Sequence, residues 1–298
     1  MSRYTRAWLQ LAGSAIAITV LVWRVGTSPF LHGVQAVNGG VLAAAAALAL
    51  LTTVCCAWRW KAMANGLGVG LSLRAAVAAY YQSIFLNLTL PGGVVGDVHR
   101  AVSHGRDTRD VGRALRAVVW ERSAGQVVQV VLTVVVLLVL PSPVQRWMPL
   151  VAGGLAIAAL LVVIVGRAPR WARPRTAATV ALASALVVAG HAATFLIAAR
   201  AAGTTAPADR VLPLALLAML LMVLPSIGGW GPREGATAWV FGLAGLGAQQ
   251  GVATAVVYGV MAFVASLPGA AVLVVSWSRR ARRPEPIEPP PAEGPAPA

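Results

Sequence analysis

Two short stretches of this 298-residue chain place acids and arginines beside glycines and a proline, within sequence that is otherwise apolar. The first break, residues 87–100, reads NLTLPGGVVGDVHR, and the second break, residues 223–235, reads VLPSIGGWGPREG. A guanidinium group binds phosphate through two parallel hydrogen bonds, and a neighbouring carboxylate can orient it. The breaks therefore predict phosphate binding, with four candidate substrate-binding residues: Asp97, Arg100, Arg233 and Glu234.

Glu121 and Arg122 are also candidate substrate-binding residues, because they are adjacent charges near the start of the next apolar segment. A charge at the centre of a membrane helix costs about 2.5–3.5 kcal/mol on insertion scales, so it usually has a partner or a function. A structural ion pair between Glu121 and Arg122 is the alternative, and it is the one that we favour for these two residues.

The charges of the two breaks also have structural explanations. Asp97 follows a glycine and can be a helix N-cap or the i,i+3 partner of Arg100. Arg100 can instead be an interfacial cation that sets topology. Arg233 and Glu234 lie far from any cluster of basic residues, and we therefore expect them to be the strongest functional candidates.

The composition indicates a membrane protein made of helices. Apolar residues make up 58% of the chain and charged residues only 11%. Long runs of Ala, Leu and Val predict helices, since the strands of a membrane barrel would alternate apolar and polar residues. The net charge of +15 comes from arginines between apolar segments, which predicts topology signals and anionic lipid head groups rather than nucleic acid as the partner.

Counting basic residues predicts the topology. Segments 59–74, 100–116, 167–175 and 279–283 are rich in Arg and Lys and are expected in the cytoplasm, as are both termini. Residues 75–98 then enter and leave on the cytoplasmic side, and residues 211–247 dip from the outer side. We predict an all-α polytopic membrane protein with two re-entrant hairpins and about six full transmembrane helices, at residues 8–23, 37–58, 117–140, 150–165, 177–199 and 250–277.

The two halves of the chain match in this scheme, as an inverted-topology repeat of residues 1–140 and 141–283 within one membrane domain. Eight ordinary helices with two proline kinks are the alternative. Residues 284–298 consist mainly of proline, alanine and glutamate, and we expect a disordered tail there.

The two breaks, in this order and with Glu121-Arg122 between them, resemble the lysylphosphatidylglycerol synthase transmembrane-domain family. The resemblance reaches to about residue 278 and implies a flippase-like module that moves lipid between leaflets, with aminoacylated phosphatidylglycerol as the best-known cargo. After Arg283 only the short tail follows, so we expect a stand-alone member without the aminoacyltransferase domain of bifunctional relatives.

We therefore predict a translocase of a phosphate-bearing lipid, either aminoacyl-phosphatidylglycerol or a polyprenyl-phosphate-linked lipid, in the cell membrane. The alternative is a non-transporting partner that presents lipid to a separate lipid-modifying enzyme; a homo-oligomer is a further expected assembly. We expect no enzymatic activity, since the sequence lacks the His-Glu-x-x-His, Gly-x-Ser-x-Gly and P-loop motifs. No cofactor or metal is expected either.

Overall fold

The chain is described by a computed structural model over residues 19–20, 22–90, 93–140, 142, 153, 174–222 and 231–281. Every regular element in these ranges is an α-helix, as the composition predicts. In chain order the helices are α1 Ser28–Gln35, α2 Gly39–Gly66, α3 Leu73–Thr89, α4 Val95–Asp107, α5 Val111–Val139, α6 Pro174–Ala201, α7 Ala208–Leu221, α8 Pro232–Leu243 and α9 Ala248–Ala281.

Four helices in the described part of the chain are long and apolar enough to cross a membrane: Gly39–Gly66, Val111–Val139, Arg175–Ala201 and Ala248–Ser278. A helix needs about 20 apolar residues to cross about 30 Å of hydrocarbon, and each of these exceeds that length. They correspond to four of the six predicted spans. The other two predicted spans, residues 8–23 and 150–165, lie largely outside the described residues, and the predicted tail lies wholly outside them.

Two helices extend beyond the predicted spans. Helix α2 continues to Gly66, past the predicted end of the span at residue 58, and Arg59 is a buried helical residue. Helix α5 begins at Val111, six residues before the predicted start, because the side chain of Asp110 caps it by accepting a hydrogen bond from the Arg113 backbone N–H.

Each break separates two short helices. Helix α3 ends at Thr89, two residues before a proline, and α4 begins at Val95. In the second half α7 ends at Leu221 and α8 begins at Pro232. These four helices have 17, 13, 14 and 12 residues, so each is shorter than a membrane span. Residues 91–92 and 223–230, at the centres of the breaks, lie outside the described residues.

The two halves pack their helices in the same pattern. In the set α2–α5 the first helix contacts the second and the fourth, and the third contacts the second and the fourth. The set α6–α9 has the same contacts. The contacts between the sets also correspond. The first helices of the two sets, α2 and α6, pack against each other. The last helix of each set contacts the first two helices of the other set: α9 contacts α2 and α3, and α5 contacts α6 and α7.

Helices α2 and α6 are antiparallel where they meet. The Thr52 side chain lies beside Gly190, and farther along α2 the Arg59 guanidinium bonds to the Ser184 hydroxyl. Residue numbers rise along α2 while they fall along α6. The C-terminal part of α2 and the N-terminal part of α6 therefore lie at the same end of the bundle.

Candidate functional site

The carboxylate of Glu121 is fully buried on α5 and is the centre of an ionic cluster. Its Oε1 accepts hydrogen bonds from Arg59 Nε at 2.8 Å and from the Tyr80 hydroxyl at 2.8 Å, and it also contacts Arg59 Nη2. Its Oε2 accepts a hydrogen bond from Arg100 Nη2 at 2.7 Å. Three helices besides α5 thus converge on one carboxylate: α2, α3 and α4.

Asp97, in the first turn of α4, is the second carboxylate of this cluster. Its Oδ1 accepts hydrogen bonds from Arg122 Nη2 at 2.7 Å and from Arg100 Nε at 3.0 Å. Ser83 Oγ and Asn87 Nδ2, both on α3, donate to the same carboxylate at 3.1 and 3.2 Å. Arg100 therefore bridges the two acids. We call the five charged residues the arginine cluster: Arg59, Asp97, Arg100, Glu121 and Arg122.

Two glycines permit this arrangement. A Cβ at Gly96 would overlap the backbone of Ser83, so a side chain there would separate α3 from α4. The Gly96 N–H donates to Asn87 Oδ1 at 2.7 Å, which ties the start of α4 to α3 across the first break. Gly125, one turn beyond the cluster on α5, leaves the space that the Arg59 guanidinium occupies.

The cluster carries an excess positive charge. Its three guanidinium groups face two carboxylates, which leaves one positive charge without a counter-ion among the described residues. The Arg100 Cζ lies over the rings of Trp60 and Tyr80, 4.6 and 4.2 Å from their centroids. Its Nη1 is buried and has no hydrogen-bond acceptor in the described part of the chain.

Arg122 connects the cluster to the surface. Its side chain is 45% exposed, whereas those of Arg59, Arg100 and Glu121 are buried. Glu121 lies ten residues into α5, about 15 Å along the helix axis at 1.5 Å per residue. The cluster thus lies on a candidate span, at the start of its uncharged run, and reaches the surface through Arg122.

The second break forms a smaller ionic site. Arg233 donates through Nε and Nη2 to Glu234 Oε1 at 2.9 and 2.7 Å, and both residues are buried. Glu234 Oε2 accepts the Gly231 N–H at 2.7 Å, which caps α8. Gly231 has φ 92°, a conformation that glycine adopts readily. Gly259 on α9 leaves space for the Arg233 guanidinium, as Gly125 does for Arg59.

A cavity of about 90 Å³ lies between α2, α3, α6 and α9. His191 and Tyr258 line it, and His191 Nδ1 is 3.3 Å from the Tyr258 hydroxyl. These side chains meet because α6 and α9 pack against each other.

The structure brings four of the six predicted residues together, Asp97, Arg100, Glu121 and Arg122, and gives Arg233 and Glu234 a site of their own. The predicted pairing of Asp97 with Arg100 and of Arg233 with Glu234 is confirmed. The favoured ion pair between Glu121 and Arg122 was wrong. Consecutive helical residues point in different directions, and these two bond to different partners.

Sequence reasoning missed several residues of the site. Arg59 was assigned to a cytoplasmic flank, although its neighbours on α2 are apolar on both sides. Tyr80, Ser83 and Asn87 recur at i, i+3 and i+7 along α3 and form a polar stripe on a mainly apolar helix. That helical spacing was the available signal for a buried polar partner.

The family model described as the lysylphosphatidylglycerol synthase TM region matches residues 7–178 and 167–269 of the chain. No curated protein matches the chain. The matched residues include both breaks and every residue of the arginine cluster. The chain belongs to the lysylphosphatidylglycerol synthase transmembrane-region family.

Proposed function

We propose that this membrane protein moves a phosphate-bearing lipid between leaflets, either aminoacyl-phosphatidylglycerol or a polyprenyl-phosphate-linked lipid. The observation that carries the proposal is the excess positive charge of the arginine cluster, together with the buried Arg100 Nη1. A charged group at membrane depth is costly unless it is paired or functional. An anionic phosphate would supply both the missing charge and the missing acceptor.

Arg122 would meet the lipid first, because its side chain is 45% exposed. A phosphate bound to Arg122 would be separated from Arg100 only by the Asp97 carboxylate, since both arginines donate to Asp97 Oδ1. The phosphate would compete with Asp97 for these donors and draw the head group toward the buried end of the cluster. A phosphodiester carries a single negative charge, which matches the excess charge.

The inverted repeat is part of this proposal. The corresponding contacts of α2–α5 and α6–α9 support two structurally related halves, and the distribution of basic residues supports opposite orientations. In this arrangement residues 1–283 form one domain with six spans and two hairpins. The protein lies in the cell membrane, and both of its termini are in the cytoplasm. Broken helices in such repeats commonly hold the substrate.

In the second half, Arg233 and Glu234 would act as the corresponding phosphate site. Their charges balance, so a phosphate that reaches Arg233 must replace Glu234 as its partner. Arg233 would thus hold the head group more weakly than the arginine cluster. Weak binding at a second position favours release, which a transporter needs as much as capture.

Reconstitution in liposomes tests the proposal. Labelled phospholipids and polyprenyl phosphates are followed as they exchange between leaflets, with wild type, Arg122→Ala and Arg122→Lys. We expect exchange above that of empty liposomes, a loss of about tenfold or more in Arg122→Ala, and partial retention in Arg122→Lys, which keeps the charge but not the planar fork.

The matched control is Arg106→Ala, which removes an exposed arginine outside the cluster and should exchange lipid like wild type. Specific lipid binding without exchange of any lipid would contradict translocation and favour the alternative, a partner that presents lipid to a separate enzyme. Equal rates in Arg122→Ala and wild type would exclude Arg122 from the path.

A further inference from the structure

A second polar pocket lies between the C-terminal part of α2 and the N-terminal part of α6. It encloses about 210 Å³ and opens to the surface of the helix bundle. Lys61 and Asn65 line it from α2, and Arg175, Thr176 and Thr179 line it from α6. None of these residues belongs to the arginine cluster or to the second break.

This pocket presents hydrogen-bond donors and positive charge. Its lining contains two cationic side chains and no acidic one, and neither Lys61 nor Arg175 has a salt bridge among the described residues. Asn65 Oδ1 accepts the Leu71 N–H at 3.1 Å, which leaves the Asn65 NH₂ group as the donor. Such a lining suits an anion.

An apolar surface continues from the pocket. On α2, Asn65 is preceded at intervals of seven residues by Trp58, which also lines the pocket, and by Leu51, and both of these side chains are exposed. Seven residues are close to two helical turns, so the three side chains share a face. The polar end of this stripe is at the pocket, and its apolar end points toward the middle of the span.

Helix α6 has the same arrangement in the opposite chain direction. Arg175 and Thr179 line the pocket, while Leu182 and Leu186, each seven residues farther along the chain, are exposed. Because α2 and α6 are antiparallel here, their apolar stripes run in the same direction away from the pocket. The tryptophan is at the boundary between the two regions, where tryptophans are enriched in membrane proteins.

We propose that this pocket binds the head group of an anionic phospholipid, whose acyl chains lie along the two apolar stripes. Lys61 and Arg175 pair with the phosphate, and the Asn65 amide and the threonine hydroxyls donate hydrogen bonds to the head group. The lipid here is a resident ligand at the junction of the two halves and is distinct from a transported lipid. Its binding does not depend on translocation.

The test uses the full chain, purified in detergent and titrated with phosphatidylglycerol, phosphatidylcholine or inorganic phosphate while the melting temperature is recorded. We expect the melting temperature to rise with phosphatidylglycerol but not with phosphatidylcholine or inorganic phosphate. In the double variant Lys61→Gln/Arg175→Gln, the phosphatidylglycerol concentration that gives half of the maximal rise in melting temperature should increase by about tenfold or more. Each lost cation weakens the attraction to an anionic lipid. The charge-preserving exchange Lys61→Arg/Arg175→Lys should bind within about threefold of wild type.

Arg106→Gln/Arg116→Gln is the matched control, because it removes two exposed cations outside the pocket. It should leave the titration unchanged. The proposal is overturned if the pocket double variant titrates like wild type, if the charge-preserving variant loses binding, or if Arg106→Gln/Arg116→Gln weakens binding as much. A full effect of inorganic phosphate would also overturn it, because the pocket would then bind phosphate without a lipid.

Discussion

Glu121 is the fully buried carboxylate at the centre of the arginine cluster. Three side chains donate hydrogen bonds to it: Arg59, Arg100 and Tyr80. Removing one partner of a buried ionic network leaves the remaining charges without compensation, which costs more than the network contributes as a whole. The shape of the cluster therefore depends on this carboxylate, even if a phosphate is bound elsewhere in the cluster.

We predict that Glu121→Gln lowers the free energy of unfolding by about 3–5 kcal/mol, because two buried arginines then share an uncharged amide. Melting in detergent measures the effect. Asp110→Asn is the matched control, since that side chain is partly exposed and asparagine caps a helix as well as aspartate. A Glu121→Gln protein that melts like wild type would show that the cluster is solvated.

Arg233 tests the second break. If its guanidinium holds the lipid phosphate, Arg233→Lys should be partly active in lipid exchange and Arg233→Ala nearly inactive, with both proteins folded. Exchange rates and melting temperatures are measured for these variants, for Glu234→Ala and for the double variant. A purely structural pair predicts instead that each single alanine variant is unstable and that the double variant recovers.

Glu234 complicates the double variant in one respect. Its Oε2 also accepts the Gly231 N–H, so its removal costs the cap of α8 even after Arg233 has been replaced. Recovery of exchange as well as stability in the double variant would eliminate the phosphate-binding role of Arg233.

At the scale of helices, each of the two long helices α5 and α9 leaves space for an arginine side chain at a glycine. On α5 the glycine lies against a guanidinium from α2, and on α9 it lies against a guanidinium from α8. In both halves a glycine on the fourth helix contacts an arginine, but the arginine comes from the first helix of one set and from the third helix of the other. The two ionic sites also differ in net charge.

We predict that Gly125→Ala and Gly259→Ala each destabilise the protein by about 1–3 kcal/mol, the usual cost of overpacking. The new methyl group would displace Arg59 or Arg233 from its carboxylate. Gly242→Ala is the control, because a Cβ there meets no atom within 4 Å and alanine favours helix over glycine. Its melting temperature should match or exceed that of wild type, while those of the other two should fall.

At the scale of the whole molecule, the basic segments predict the orientation in the membrane. The contact pattern of the helices does not determine that orientation. We predict that single cysteines at Ser72 and Arg109, in a cysteine-free background, are both labelled from the cytoplasm. These positions flank the pair α3 and α4. Labelling of only one would make this pair a true crossing and would rule out the inverted repeat.

The membrane class, the all-helical fold, the two breaks and the family could all be predicted from the sequence. These properties follow from local composition, proline and glycine positions, and charge spacing, all of which are visible along the chain. Asp97–Arg100 and Arg233–Glu234 were predictable as pairs for the same reason, because their partners are close in sequence.

The partners that are distant in sequence could not be predicted, because they depend on how the helices pack. Arg59 and Glu121 are 62 residues apart, and their contact depends on how α2 packs against α5, which no local pattern encodes. The same packing separates the neighbours Glu121 and Arg122 into different bonds. It also leaves Arg100 Nη1 with no acceptor among the described residues, and it assembles the net charge of the cluster from three helices, α2, α4 and α5.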